Sequence, residues 1–169
     1  NGLQPLADLL FEQKDIDLLA EAAKFINDKV LDTDAALQGA RDIIAEQVNE
    51  DATVRAKLRK LFENEATLQS KVVTDKETEA AKYKDYFDFS EPIAKVPSHR
   101  ILAVLRGFLE GYLRIAISPD EERALEIVEE LYIKGMSSCS DQLRKAIKDA
   151  YRRLLQPSLE TECRTTLKT

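Results

Sequence analysis

The sequence predicts a mainly α protein, an irregular multi-helix bundle carrying one small two-stranded antiparallel β-ribbon. Three observations lead there. Apolar residues recur at three-and-four spacing over most of the 169 residues. Only two stretches, about 67–73 (TLQSKVV) and 112–117 (YLRIAI), alternate with a period of two and hold β-branched residues. The five glycines and five prolines are few, and two of each fall between Tyr83 and Gly111, so breaks in the helical pattern are sparse and local.

Taken in order, GLQPLADLLFEQ (2–13) reads as a short helix with Pro5 near its start and Leu6, Leu9 and Leu10 on one side. Asp17 precedes a second helix over 18–27, with Leu19, Ala22, Ala23 and Ile26 inward. After a break at 29–33, Asp34 can cap a longer helix to Val48, with Leu37, Ala40, Ile44 and Val48 as its stripe. Residues 49–51 make a corner. The next helix, to about Glu65, buries Val54, Leu58, Leu61 and Phe62, and its opposite face (Arg55, Lys57, Arg59, Lys60) reads as solvated. The 67–73 strand follows, with 112–117 as its partner. Lys76 to Tyr86 returns to a polar helix. Pro92 and Pro97 force extended geometry on Glu91 and Val96, so 90–96 is a non-helical crossing. Ser98 is a candidate N-cap for a helix whose apolar residues fall at 101, 102, 104, 105, 108 and 109, and Gly111 supplies a left-handed residue to end it. Gly107 reads as a close-packing position.

Ser118-Pro119-Asp120-Glu121 is a helix-start signature for a segment reaching Lys134, with Gly135 as its stop. After a loop at 136–140, Asp141 opens the last long helix, with Leu143, Ile147, Ala150, Tyr151 and Leu154 on one face. Pro157 kinks or ends it. Residues 158–169 resemble a further helix, cut short. The expected organisation is therefore a helical scaffold with its ribbon over 1–157, and a truncated helix over 158–169. Asn1 is not a natural start, so the chain is expected to be a piece of a longer protein.

The totals exclude several function classes. The net charge is −6, spread unevenly: residues 1–50 hold 4 basic and 11 acidic side chains, 51–114 hold 12 and 10, and 115–169 hold 9 and 10. An acidic chain is a poor general binder of phosphate backbones, so any such contact falls to the middle third or to parts absent here. The longest purely apolar run, Ile101 to Leu105, is far short of the ~18 residues of a membrane span. Cys139 and Cys163 lack a partner motif and read as reduced thiols of a cytoplasmic protein. One histidine, His99, and two scattered cysteines make no zinc site. His99 has no second histidine or suitable cysteine to work with, which leaves a hydrogen-bonding or structural role ahead of a catalytic one. Gly107-x-x-x-Gly111 lacks the Gly-Lys-Ser/Thr ending of a phosphate loop. Tyr83, Tyr86, Phe87 and Phe89 read as core aromatics ahead of a base-stacking platform. No catalytic residue, metal, cofactor or small-molecule substrate is expected. The candidate binding residues are Lys95, His99, Arg100 and Arg106, cations around the start of one helix, where an anion could be held. The competing reading pairs Arg100 and Arg106 with local acids such as Asp88 or Glu91.

The motif SEPIAKVPSHRILAVLRG (90–107), together with GLQPLADLL, GARDIIAEQ, SKVV, YFDF and RRLLQPSLETE in that order, resembles the Tex family of bacterial transcription accessory proteins, relatives of a eukaryotic transcription elongation factor. The resemblance spans essentially the whole chain. It implies a segment lying after the extreme N-terminus and before a YqgF-type RNase-H-like domain, in a longer protein that also carries helix-hairpin-helix elements and an S-one-type OB barrel. It further implies a cytoplasmic, non-enzymatic protein that binds RNA or DNA in transcription, with the main binding modules outside this segment, so that the segment itself binds weakly. RNA polymerase or ribosome-associated machinery is the implied protein partner if the segment is instead an interaction module. The family usually has a charged pair after the Arg-Gly of this motif; here Phe108-Leu109 stands there, which hints at a local apolar contact.

Overall fold

The computed structural model describes residues 2–167. It is mainly α with a small antiparallel sheet, as the hydrophobic periodicity predicts. Eight α-helices run among the described residues: α1 Gln4–Glu12, α2 Leu18–Ala23, α3 Thr33–Glu50, α4 Ala52–Glu65, α5 Ser98–Leu109, α6 Glu121–Tyr132, α7 Ser138–Ala150 and α8 Gln156–Leu167. The strands are β1 Thr67–Val72, β2 Asp88–Pro92 and β3 Leu113–Ser118. The chain forms two compact units, one of residues 1–56 and 125–155, the other of residues 57–124 and 156–169.

In the first unit, α1, α3 and α7 pack on one another. The stripe expected of α3 is buried throughout (Leu37, Ala40, Ile44, Val48), and Leu143, Ile147, Ala150 and Tyr151 face it from α7 and beyond. Gln13, with a left-handed backbone (φ 55), ties three helix ends together. Its side-chain amide donates to the Tyr132 carbonyl (2.6 Å), and its side-chain oxygen accepts from the Lys134 N–H (2.7 Å) and the Ser140 hydroxyl (3.0 Å). The caps differ by a few residues from the expected ones. Asp32, not Asp34, caps α3 by accepting from the Ala35 N–H, and Ser137 caps α7, so that helix opens at Ser138 instead of Asp141. Asp51 caps α4, accepting from Thr53 N–H (2.8 Å), and also receives the Tyr132 hydroxyl. The helix expected over 18–27 stops at Ala23: Leu18 and Ala22 are buried, while Leu19 and Ala23 on it and Ile26 beyond its end, all expected inward, are exposed, since so short a helix presents only one turn to the core.

In the second unit, the ribbon expected between 67–73 and 112–117 is present, β1 pairing β3 from Thr67–Ser118 to Val72–Leu113. The sheet has three strands, not two. Asp88–Pro92, of which only 90–92 fall in the expected crossing, adds to the free edge of β1 to give the order β2-β1-β3. Pro92 ends that strand, as its missing N–H requires. The buried face carries Leu68, Ser70, Leu113 and Ile117, and the Ser70 hydroxyl is satisfied by the Tyr86 carbonyl (2.7 Å). Since Val73 N–H bonds Tyr112 O, the N–H of Ile117 points away from β1; Glu160 of α8 accepts it (3.0 Å) and closes that edge. The helix expected over 76–86 shrinks to a 3₁₀ segment, Ala81–Tyr86, with Tyr83 off helical geometry (φ −104, ψ 17). Ser98 is the first residue of α5, not its cap: Pro97 holds the cap position and no side chain caps that end. Likewise Ser118 belongs to β3, and α6 starts at Glu121 with Asp120 accepting from the Arg123 N–H (3.2 Å).

Pro157 does not end the last helix. Its missing N–H leaves the Arg153 carbonyl without the usual partner, and the chain widens into a π-helical turn over Tyr151–Leu155 before α8 begins, placing Pro157 in a first turn where no donor is needed.

A candidate nucleic-acid interface on helix α5

The extended crossing expected before helix α5 is instead a tight turn over 93–96, in which the Lys95 and Val96 N–H groups both donate to the Pro92 carbonyl (3.0 and 3.1 Å). Only Pro97 after it is extended, and the helix leaves through Gly111, whose φ of +83 suits the left-handed region. Its inward face carries Val104, Leu105 and Gly107. Gly107 lies against β3: a Cβ there would sit 2.8 Å from Leu113 Cγ and 3.2 Å from Tyr83 Cδ1, so only glycine lets helix and strand approach this closely. Tyr83 meets Tyr112 tilted, ring centroids 6.1 Å apart, and Tyr86 meets Phe89 edge-on at 5.3 Å, so these aromatics pack on each other.

The outward face holds three of the four candidate residues. Lys95, His99, Arg100 and Arg106 are all exposed. They do not converge. Lys95 lies in the turn before the helix, and His99 and Arg106, seven residues apart, lie on one side of it about 10 Å apart along the axis. Arg100 is ion-paired with Glu91 at the end of β2. Arg106 lies near Glu110, whose carboxyl is held below the usual range first by the Tyr83 hydroxyl and then by burial-opposed contacts with Lys82 (3.2 Å) and Arg106. Burial and that carboxylate push the Tyr83 hydroxyl up to about 12. The same outward face also shows Leu102, 54 % exposed, and Leu109, 66 % exposed, two residues that the sequence places in the helix stripe. In place of the apolar contact its position hints at, half-buried Phe108 has the Arg164 guanidinium 5.0 Å over its ring, a cation–π contact.

Among the described residues no group of three or more histidine, cysteine, aspartate or glutamate side chains is arranged to hold a metal ion, and no helix is long and apolar enough to cross a membrane. Both thiols are pushed up, chiefly by burial, with Glu12 adding to Cys139 and Glu63 to Cys163.

The fold and this surface define a helical segment with a small sheet and a dispersed cationic helix face. Residues 13–169 match the Tex central region-like family, and the chain belongs to that family. It is 42 % identical to the transcriptional accessory protein Tex of Neisseria gonorrhoeae over 99 % of this chain and 23 % of that protein. It is 40 % identical to protein YhgF of Escherichia coli K12 with the same coverage, and 41 % identical to protein tex of Bordetella pertussis over 74 % of this chain and 16 % of that protein. The chain thus spans under a quarter of the length of these relatives.

Proposed function

We propose that this chain is a non-catalytic helical scaffold segment of a Tex-like transcription accessory protein whose full-length form binds RNA or DNA, and that the segment positions the nucleic-acid modules while binding nucleic acid only weakly itself. The observation that carries this reading is the dispersal of the four candidate cations. Lys95, His99, Arg100 and Arg106 line a helix start and one exposed face, and Arg100 is already committed to Glu91. Such a surface supports a few screened phosphate contacts and no high-affinity grip. The gonococcal relative, a transcriptional accessory protein by name, supports the transcription part. Titration of labelled single-stranded RNA and duplex DNA into the chain at near-physiological salt tests the reading. The expected dissociation constants lie above about 10 μM, as for non-specific contacts of this kind; sub-micromolar binding would overturn the scaffold role.

Leu102 and Leu109 favour a second reading, a module that docks the transcription machinery through α5. Retention of RNA polymerase by the full-length protein, lost on Leu102→Ser/Leu109→Ser with folding intact, would select it.

A further inference from the structure

The polar face of the sheet holds an arrangement that stability alone disfavours. Lys71 of β1 sits directly opposite Arg114 of β3. Because Val73 N–H bonds Tyr112 O, the two-residue alternation makes 71 and 114 a hydrogen-bonded pair, with Cα atoms about 5.5 Å apart and both side chains on one face. Like charges set opposite each other on neighbouring strands cost stability. Both side chains are exposed, and among the described residues neither takes part in a salt bridge or a side-chain hydrogen bond. The only carboxylate in the row is Asp88, opposite Lys71 on β2, which offsets one of the two cations. Between β1 and β3 the face forms a shallow concavity of about 310 Å³, lined by Gln69, Lys71, Thr74, Arg114 and the small side chain of Ala116.

We infer that this open face is a second nucleic-acid contact, in which Lys71 and Arg114 hold backbone phosphates of a single strand laid along the β1–β3 groove. This rests on the nucleic-acid reading above and adds a surface to it. The guanidinium fork of Arg114 suits phosphate oxygens, and an arriving anion relieves the repulsion between the two cations. Gln69 and Thr74 supply hydrogen-bonding groups beside them. No aromatic side chain lines this concavity, so the contact reads the backbone and not the bases.

The test is an amide-shift titration of ¹⁵N-labelled chain with a ten-nucleotide uridine oligoribonucleotide, beside an oligoglutamate peptide, at low and moderate salt. The expected shifts centre on residues 69–72 and 114–116. With two phosphates contacted, affinity for RNA falls about sevenfold between 50 and 200 mM salt. Lys71→Gln/Arg114→Gln binds about tenfold more weakly. Arg114→Gln alone raises the melting temperature by about 1–2 °C by removing the repulsion, whereas a purely structural arginine would lower it. Shifts confined to 95–106, with the double variant unimpaired, would overturn the sheet contact and leave the α5 reading standing. Equal response to oligoglutamate would overturn it as a phosphate contact. No response at either surface would overturn it too, and the nucleic-acid role would then be judged on the full-length protein alone.

Discussion

Replacing Gly107 by alanine tests the closest helix–strand approach in the second unit. The new Cβ would meet Leu113 Cγ at 2.8 Å and its Cδ1 closer still, with Tyr83 Cδ1 at 3.2 Å. Leu113 is 2 % exposed and Tyr83 is buried, so neither side chain has open space to retreat into. Overpacking of this kind costs about 1–3 kcal/mol. Alanine's better helix propensity returns about 0.8–1 kcal/mol. The net expectation is a loss of about 1 kcal/mol, or about 2–4 °C for a chain of this size, read by urea and thermal denaturation. Leu113→Ala removes the obstructing atoms. In that background Gly107→Ala should stabilise by about 1 kcal/mol, giving a coupling of about 2 kcal/mol in the double-mutant cycle. A stabilising Gly107→Ala in the native background, or a cycle additive to within ~0.5 kcal/mol, would refute the packing argument. Gly39→Ala is the internal contrast. Its Cβ would press only on Leu3 Cδ1, the far end of a side chain that is buried but borders a cavity of about 640 Å³ into which it can shift, so the expected change is under about 0.5 kcal/mol.

The Tyr132–Asp51 contact should show in the acid limb of the stability curve. The Tyr132 hydroxyl, followed by two backbone N–H groups at the start of α4, holds the Asp51 carboxyl below its ordinary value. A carboxyl lowered on folding contributes stability above its unfolded value, near 3.9, that is lost as pH falls through the folded one. Tyr132→Phe should therefore cost about 1 kcal/mol at pH 7 and less at pH 2–3, measured by urea denaturation across pH. Gln13→Ala removes three hydrogen bonds that join the ends of α1 and α6 to the start of α7, and should cost about 1–3 kcal/mol, whereas an exposed glutamine such as Gln38 should cost under about 0.5 kcal/mol. The thiols of Cys139 and Cys163, both raised by burial, should react with a disulfide reagent at pH 8 far more slowly in the native chain than in urea.

The candidate site was legible only in part. The SHR motif and its neighbouring cations stood out because prolines and the only histidine mark the entry to α5. Whether those cations converge depends on where Glu91 and Glu110 fall after folding, and both carboxylates turn out to engage the region. Lys71 and Arg114 gave no signal, since they lie 43 positions apart in unrelated sequence and only the strand register sets them opposite each other. Gln13 was silent for the same reason, its partners lying more than a hundred residues away.

Local physics was enough for the elements themselves. Apolar residues three and four apart can be buried together only on a helix, so α3, α4 and α7 and their inward faces followed from the order of residues alone. The same holds for the β1–β3 pairing, where alternation and length leave one suitable partner. Tertiary structure alone decided the third strand, because a polar, proline-ended segment such as Asp88–Pro92 becomes a strand only when a free edge such as that of β1 offers it hydrogen bonds. It also decided which leucines of α5 stay in solvent. A helix has more apolar positions than β3 and the 3₁₀ segment can cover, and the uncovered remainder, Leu102 and Leu109, is fixed by the angle at which Gly107 lets the helix settle onto Leu113.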